Sequence, residues 1–292
     1  MASNINDLIT TVNNSNFASI KGIISGIFGI INNSKSSVND LEKVIKLDPP
    51  LAAKVLKVAN SVFYASKVEF KDLKEAVLWI GFEEVKNIAI TGQLLKVFAD
   101  NSKSEISKLD LWKNSIATAI LGQMIYRREY GEKGDNIYTA GLIHNIGIII
   151  MDQFLPDEFH EIIKCIKEEK INHIEVENQF LGYDHTNIAK VLAESWKFPE
   201  ELTEILRYHH TPKQTPENHQ KKTETMYIAD YFCGKLKLGY SDIDLDNEQE
   251  VFEEYLKKNN IEEESLKLMQ QDLYEKIKHL EEIGLLTHEK SK

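Results

Sequence analysis

Apolar residues recur at spacings of three and four along most of the chain, which is the pattern of amphipathic α-helices. Leu and Ile at these spacings are interleaved with Lys and Glu, and no convincing run alternates apolar and polar residues as a half-buried strand would. Only six prolines and 14 glycines interrupt the pattern. The sequence therefore predicts an all-α protein.

Start and stop signals divide this pattern into separate helices. Asp48 precedes two prolines and ends one helix, while Gly81 and Gly131 end two others. Asp110 and Asp184 are candidate N-caps, because their side chains can accept from the first free N–H groups. The predicted helices cover residues 17–32, 38–47, 51–60, 72–80, 83–98 and 110–130. Four more begin near residues 135, 156, 184 and 199, and the one near 135 carries the apolar run GLIHNIGIIIMDQF. The last cover 224–238 and an amphipathic tail over 248–286.

One segment departs from the helical pattern. Residues 211–223, TPKQTPENHQKKT, are polar and include two prolines. This composition is typical of a loop, so we predict a flexible excursion here. The excursion and the C-terminal tail are candidate contact surfaces.

Composition and charge narrow the class of protein. A chain of 292 residues with 42% hydrophobic content can bury one large core or two modest ones. There are 35 basic and 46 acidic residues, a net charge of −11, and no basic stripe with interleaved aromatics. We therefore expect no nucleic acid partner.

The cysteines and the N-terminus indicate the compartment. Cys165 and Cys233 cannot form a disulfide framework or a thiolate zinc site, and both are expected to be small hydrophobic residues. The N-terminal stretch MASNINDLITTVNN has no signal-peptide pattern, and no apolar run reaches the roughly 18 residues of a membrane span. We expect a cytoplasmic protein with no membrane partner.

Several polar side chains fall on apolar faces of the predicted helices. Asn114 shares a stripe with Leu121 and Ile125, and His209 should point further inward than its neighbour His210. Asp230 lies among apolar residues, where a lone carboxylate needs a cation, a hydrogen-bond donor or a proton. The pair His144 and Asn145 stands inside the apolar run GLIHNIGIIIMDQF, and it reads equally as a metal site, as the remnant of one or as a hydrogen-bonded core pair.

The order of short motifs resembles the HDOD domain, a bacterial relative of the HD-domain metal-dependent phosphohydrolases. The strings that carry the resemblance are LDPPLAAKVLKVANSVFY, LKEAVLWIGFEEVKNIAI, LWKNS, GLIHNIG, LGYDHTNIAKVLAESWKFP, ILRYHH and YIADYF. The resemblance implies an HD-superfamily-like multi-helix bundle. We predict an N-terminal extension over 1–16, an HDOD domain over 17–240 with helical parts 17–100 and 110–240, and a helical tail over 241–292.

In the wider superfamily, as the resemblance implies, a His on one helix, a His-Asp pair and a later Asp hold a metal that activates water against a phosphate ester. Here Asn114 stands at the position of the first His, and Asn145 stands at the Asp of the pair. A neutral amide oxygen holds a transition metal poorly. We therefore expect that the phosphohydrolase activity has been lost, which leaves a degenerate site.

The remaining residues still offer a ligand set for a divalent ion, with Fe, Zn, Ni and Mn as candidates. The competing interpretation is a metal-free polar core, in which Asp230 bonds one of the histidines and the amides complete the network; we favour this core. The candidate metal ligands are His144, His185, His209, His210 and Asp230.

Two functions follow from the resemblance. The first is a non-catalytic signal-transduction module that acts through contacts with other signalling proteins, with components of nucleotide second-messenger pathways among the candidates. The second is a surviving metal-dependent phosphohydrolase or phosphodiesterase that acts on a nucleotide. The net negative charge disfavours the second, because little beyond Arg207 would grip an anionic substrate near the site.

Overall fold

The computed structural model describes residues 4–15, 17, 21, 37–65, 68–98, 104–132, 134–169 and 171–286. These ranges contain α-helices and two short 3₁₀ turns and no strand, which confirms the all-α prediction. The predicted helix over 17–32 lies almost wholly outside the described residues. The helices are α1 (Ile5–Asn13), α2 (Val38–Lys46), α3 (Pro49–Ala59), α4 (Leu73–Ile80), α5 (Phe82–Phe98), α6 (Lys108–Glu129), α7 (Asp135–Ile143), α8 (Ile146–Phe154), α9 (Pro156–Glu169), α10 (His173–Leu181), α11 (His185–Ser195), α12 (Glu200–Tyr208), α13 (Glu217–Lys235), α14 (Gln249–Lys258) and α15 (Glu263–Glu282).

The centre of the fold is α6, which is buried on nearly all sides from Leu111 to Tyr126. It packs against α5, α7, α13 and α15. A helix covered in this way has no single polar face, which explains why Asn114 and other polar residues lie inside the core. Helix α11 packs against both α12 and α8 beside this group.

The start of one helix differs from the prediction because another residue acts as its cap. Helix α6 begins at Lys108, since the Ser107 side chain accepts from the N–H of Asp110 at 3.1 Å; Asp110 is therefore inside the helix and is not its cap. The prediction for Asp184 is confirmed, because its carboxylate accepts from the N–H groups of Thr186 and Asn187.

The prediction of one helix through GLIHNIGIIIM is wrong. The run divides into α7 and α8, and His144 and Asn145 form the turn between them. The apolar pattern is continuous across this point, so periodicity gave no sign of the break.

The prediction of a flexible excursion over 211–223 is also wrong. Pro212–Gln214 is a 3₁₀ turn, and α13 already begins at Glu217, directly after Pro216. Thr223 and Glu224 are buried, and Glu224 accepts from Lys258 Nζ at 2.5 Å and from Asn259 Nδ2 at 2.9 Å. Contacts with the C-terminal part therefore order a stretch whose composition alone resembles a loop.

The C-terminal tail is two helices, α14 and α15, and its last described residues are anchored in the fold. The indole N–H of Trp112 donates to the carbonyl of Leu285 at 2.9 Å, and Lys54 Nζ donates to the carbonyl of Gly284 at 3.0 Å. Leu285 is itself fully buried. No described helix combines the length and the apolar character needed to cross a membrane.

Candidate metal centre

Close backbone contacts fix the turn that carries His144 and Asn145. A Cβ atom on Gly147 would lie 2.1 Å from the carbonyl oxygen of His185, and one on Gly141 would lie 2.4 Å from the Cα of Ala119. Only glycine permits such close approach of α8 to α11 and of α7 to α6. The two glycines therefore place the turn beside the first residue of α11, which is His185.

Three histidines and one aspartate meet at this point. One ligand atom from each of His185, His209, His210 and Asp242 lies within 4.8 Å of the others. Asp242 Oδ2 accepts from His210 Nε2 at 3.0 Å and lies 3.3 Å from His185 Nε2. His209, the C-cap of α12, is more deeply buried than His210, as predicted.

The predicted residues His144 and Asp230 adjoin this group. The rings of His144 and His209 have centroids 5.2 Å apart, and His144 Nε2 is 3.6 Å from Asp230 Oδ1. Burial alone would lower the pKa of His144, but the Asp230 carboxylate outweighs it and raises the pKa. Asp230 also accepts from the hydroxyl of Thr118 at 3.2 Å. All five candidate ligands thus belong to one buried region.

Hydrogen bonds at Nδ1 orient three of the histidines. His144 Nδ1 is 2.8 Å from the carbonyl oxygen of Gly141, and His209 Nδ1 is 2.9 Å from that of Leu206. A carbonyl can only accept, so both rings carry their proton on Nδ1 and present an unprotonated Nε2 when neutral. His185 uses the buried carboxylate of Glu177 in the same way, at 2.8 Å. A hydrogen bond at the ring nitrogen that does not bind the metal is what holds metal-binding histidines in position.

Many of the polar atoms that line this site have no hydrogen bond to a described residue. Asn114 Oδ1 and both amide atoms of Asn145 make none of the hydrogen bonds to described residues that a metal-free polar core would need. Unpaired buried polar atoms cost free energy, so a bound ion or ordered water fits here better than a directly bonded core. The atoms without a partner are Asn114 Oδ1, His144 Nε2, both amide atoms of Asn145, His185 Nε2, His209 Nε2, Asp230 Oδ2 and Asp242 Oδ1.

The carboxylates control the protonation of the histidines. Burial alone would lower the pKa of His185, but Glu177 and Asp242 outweigh it and raise the pKa to about 9. For the same reason the pKa of His210 is raised by Asp242, whose own pKa lies well below its usual value despite burial. Burial and neighbouring histidines hold the pKa of His209 well below its usual range. The buried carboxylates therefore require positive charge, from protons or from a metal ion.

Sequence reasoning missed two of these residues. Asp242 lies in the acidic loop SDIDLDNEQE, where nothing distinguishes it from its neighbours. The loop is pinned to α6, because the N–H of Tyr240 donates to the carbonyl of Asp110 at 3.0 Å and Gly239 fits against the same carbonyl. Glu177 lies on α10, a helix that was not predicted. The sequence offered one sign that Glu177 is buried, which is its place near the apolar residues Val176 and Leu181.

The donor set suits a divalent ion. Several imidazole nitrogens with carboxylate oxygens are ligands for Zn, Fe, Ni or Mn, and the orphaned Nε2 and carboxylate atoms face the same buried region. The His/Asp cluster can thus hold a metal ion. The residues that would do so are His185, His209, His210 and Asp242, with His144 and Asp230 adjacent.

The profile of the HDOD domain matches residues 17–212, which is most of the chain. The chain belongs to the HDOD family. The predicted boundary at 240 stays a prediction, and Asp242 lies just beyond it. The status of Asn114 and Asn145 as degenerate positions also stays a prediction.

Solved structures share this HDOD fold. An HDOD domain protein of unknown function from Geobacter sulfurreducens is 22% identical with a TM-score of 0.75, and the match covers 92% of each chain. A protein from Marinobacter aquaeolei VT8, provisionally named a signal transduction protein, is 22% identical with a TM-score of 0.69 over 91% of this chain and 58% of its own. A protein from Shewanella amazonensis SB2B, provisionally named a phosphohydrolase, is 22% identical with a TM-score of 0.65 over 92% of this chain and 91% of its own.

One relative is an uncharacterized protein from Treponema pallidum (strain Nichols). It is 24% identical over 204 residues, which are 68% of this chain and 38% of that protein. The matched region thus spans well under half of the relative. At these identities the comparisons establish a common fold and leave the activity to be argued from the site.

Proposed function

We propose that this HDOD protein is a non-catalytic regulatory module of bacterial signal transduction, which holds a divalent ion in a closed site and acts through contacts with other signalling proteins. The observation that carries the proposal is the closure of the site. His144 and His185 are 0% exposed, and Asp230 and Asp242 are 1% and 3% exposed. Burial of these residues leaves substrate no path to an ion held here, whereas a catalytic metal site keeps a coordination position open to substrate.

The surroundings of the site also disfavour an anionic substrate. Arg207, the cation nearest in sequence to the paired histidines, donates to the hydroxyl of Thr186 at 2.6 Å and lies 3.9 Å from Asp184. It is thus engaged in holding the start of α11. Buried carboxylates around the site repel a phosphate ester further.

An exposed apolar surface supports the role in protein contacts. Val62, Leu78 and Trp79 are exposed by 95%, 63% and 51%, and all belong to the N-terminal helical part. The Trp79 ring packs on Phe70, with centroids 5.7 Å apart, while half of the indole stays accessible. The indole N–H of Trp79 donates to the carbonyl of Tyr64 at 3.3 Å, which places Trp79 beside the turn that carries Val62. Exposed apolar groups that lie together in this way are typical of protein-binding surfaces. The provisional name of the Marinobacter protein, a signal transduction protein, agrees with this role.

The alternative is a metal-dependent phosphohydrolase acting on a nucleotide. The His/Asp cluster and the provisional name of the Shewanella protein favour it. For this function the site would have to open, because substrate and water must reach the ion. The two proposals therefore differ in whether metal-loaded protein turns over a phosphate ester.

Metal analysis and an activity assay on the same protein separate them. The chain is purified without a metal-affinity tag, its metal content is measured by elemental analysis, and phosphodiesterase activity is assayed with added Mn and Fe. We expect stoichiometric metal without turnover. The variant His185→Ala should lose the metal, whereas His160→Ala, an exposed histidine paired with Glu105, should retain it.

Each part of the proposal has an outcome that contradicts it. Turnover that disappears in His144→Ala would establish the phosphohydrolase. Equal metal content in His185→Ala and the parent would mean that the metal is not held by this cluster. For the partner role, affinity capture from the native host should lose its specific partner in Trp79→Glu; an unchanged set of captured proteins would exclude this surface.

A further inference from the structure

A second polar cavity lies between α5, α6, α7 and α15, and none of the metal-centre residues lines it. Its volume is about 190 Å³, and it continues into a more open recess of about 590 Å³. The cavity and the recess share Phe63, Glu84, Arg127 and Lys276 as lining residues. The two spaces therefore form one site with a narrow inner part and a wide entrance.

Buried polar atoms line the inner part without partners. Asn87 and Gln123 are 1% and 5% exposed, and Asn87 Nδ2 donates to Gln123 Oε1 at 3.3 Å. This bond leaves Asn87 Oδ1 without a donor and Gln123 Nε2 without an acceptor, and His279 Nε2 is likewise unpaired. A free acceptor and a free donor on two side chains in contact suit a ligand edge that carries both a donor and an acceptor, as amide-bearing heterocycles do.

Aromatic rings stand at the entrance. Phe63 stacks on His279 with centroids 4.4 Å apart and planes inclined by 13°. Phe63 remains 47% exposed, so its ring can also be displaced or covered by another planar group. Flat apolar surface beside polar amide groups is suited to a planar ring with a polar edge.

Charged side chains of both signs line the cavity and its entrance. Arg127, Arg128 and Lys276 are the cations, and Glu83, Glu84 and Asp272 are the anions. Arg128 is paired with Asp272 and Glu83 with Lys86, whereas Lys276 makes no ion pair with the described residues. In a chain with a net charge of −11, a lysine of this kind marks a place where an anionic group is favoured.

We propose that this cavity binds a small anionic heteroaromatic molecule of the nucleotide class, with its base against Asn87 and Gln123 and its phosphate near Lys276. The orphaned amide atoms are closed to solvent, so the base enters after a side-chain movement in the cavity wall. Met124 and Phe63 allow it, because methionine is flexible and the Phe63 ring, which contacts Tyr64 and His279, is 47% exposed. Unpaired buried amide atoms cost free energy, so such a movement is favoured when a ligand can form hydrogen bonds with them.

Calorimetric titration of the full chain tests this site. The probes are AMP, GMP, CMP and UMP, with ribose 5-phosphate and inorganic phosphate as controls for the phosphate alone. We expect saturable binding of at least one nucleotide and none of the two controls. Saturation by none of the four nucleotides at millimolar concentration would overturn the proposal, and equal binding of ribose 5-phosphate would overturn the assignment of the base.

Variants locate the binding on this cavity. Asn87→Leu and Gln123→Leu should each weaken binding about ten-fold or more, because an unmatched polar edge of the base would be buried. Lys276→Ala should weaken it too, while Lys278→Ala, an exposed lysine two residues further along α15 and outside the cavity, should not. Circular dichroism checks that each variant folds. If the buried variants Asn87→Leu and Gln123→Leu do not fold, Phe63→Ala replaces them as the test of the cavity. Equal affinity in Lys276→Ala and Lys278→Ala, or unchanged affinity in every cavity variant, would place the nucleotide elsewhere.

Discussion

Replacement of Gly147 by alanine tests whether backbone contact between α8 and α11 sets the metal centre. The new Cβ atom would lie 2.1 Å from the carbonyl oxygen of His185, 2.7 Å from its carbon and 2.8 Å from its Cα. Ordinary carbon–oxygen contacts are about 3.3 Å, so the two backbones must separate by about 1 Å. These atoms are backbone atoms and cannot rotate away. We expect a loss of about 3 kcal/mol in the free energy of unfolding, at the upper end of overpacking effects.

The same displacement should remove the metal, because His185 moves away from His209, His210 and Asp242. Urea denaturation followed by circular dichroism gives the stability, and elemental analysis gives the metal content. The control is Gly92→Ala on α5, where the added Cβ would meet Leu51 and Leu285 at 3.4 and 3.5 Å. These are ordinary contacts, so this variant should be unchanged or more stable by about 1 kcal/mol through helix propensity. A Gly147→Ala protein with the stability and metal content of the parent would refute the reasoning.

Three further predictions concern the charges of the metal centre and of the second cavity. Asn145→Asp should tighten metal binding about ten-fold or more yet destabilise the protein in chelator, because the new carboxylate is buried; equal destabilisation with and without metal would argue against a metal ligand here. Glu177→Gln should weaken metal binding about 10- to 100-fold, since it removes the anionic partner of His185, and competition with a chelator measures this; unchanged affinity would mean that Glu177 does not orient the ring. Burial lowers the pKa of His279 below its usual 6.5, so its contribution to stability is complete above pH 6.5 and is lost as the pH falls below it; His279→Gln should therefore lose less melting temperature than the parent between pH 7.5 and 5.5, and an equal loss would contradict this.

The sequence predicted the helical class and most helices because their start signals are local. Asp72 and Asp184 bond the first N–H groups of α4 and α11, so a short window contains the information. The break between α7 and α8 was not predictable in this way. The break goes together with the approach of Gly147 to His185, a contact between residues far apart in sequence, and the periodicity within one window cannot report such a contact.

The candidate site could be predicted only in part, for a related reason. His144, His209 and Asp230 stand out as polar residues on apolar faces, and the structure brings them into one region. Asp242 is one of several acids in a loop, and the contacts of Gly239 and Tyr240 with the carbonyl of Asp110 carry it inward. The preference for a metal-free core assumed that the polar side chains would hydrogen-bond one another. The sequence cannot test this assumption, because helix packing decides whether side chains far apart in the chain reach hydrogen-bonding distance.

The C-terminal anchor has a consequence for how the chain folds. Leu285 bonds Trp112 across 173 residues, and Gly284 bonds Lys54 across 230. Contacts so distant in sequence are closed late, because the loop entropy is lost before the contact stabilises anything. We therefore expect docking of α15 and its final turn to be a slow, late phase of refolding, and the two helical parts of the chain to become a single cooperative unit only once that phase is complete.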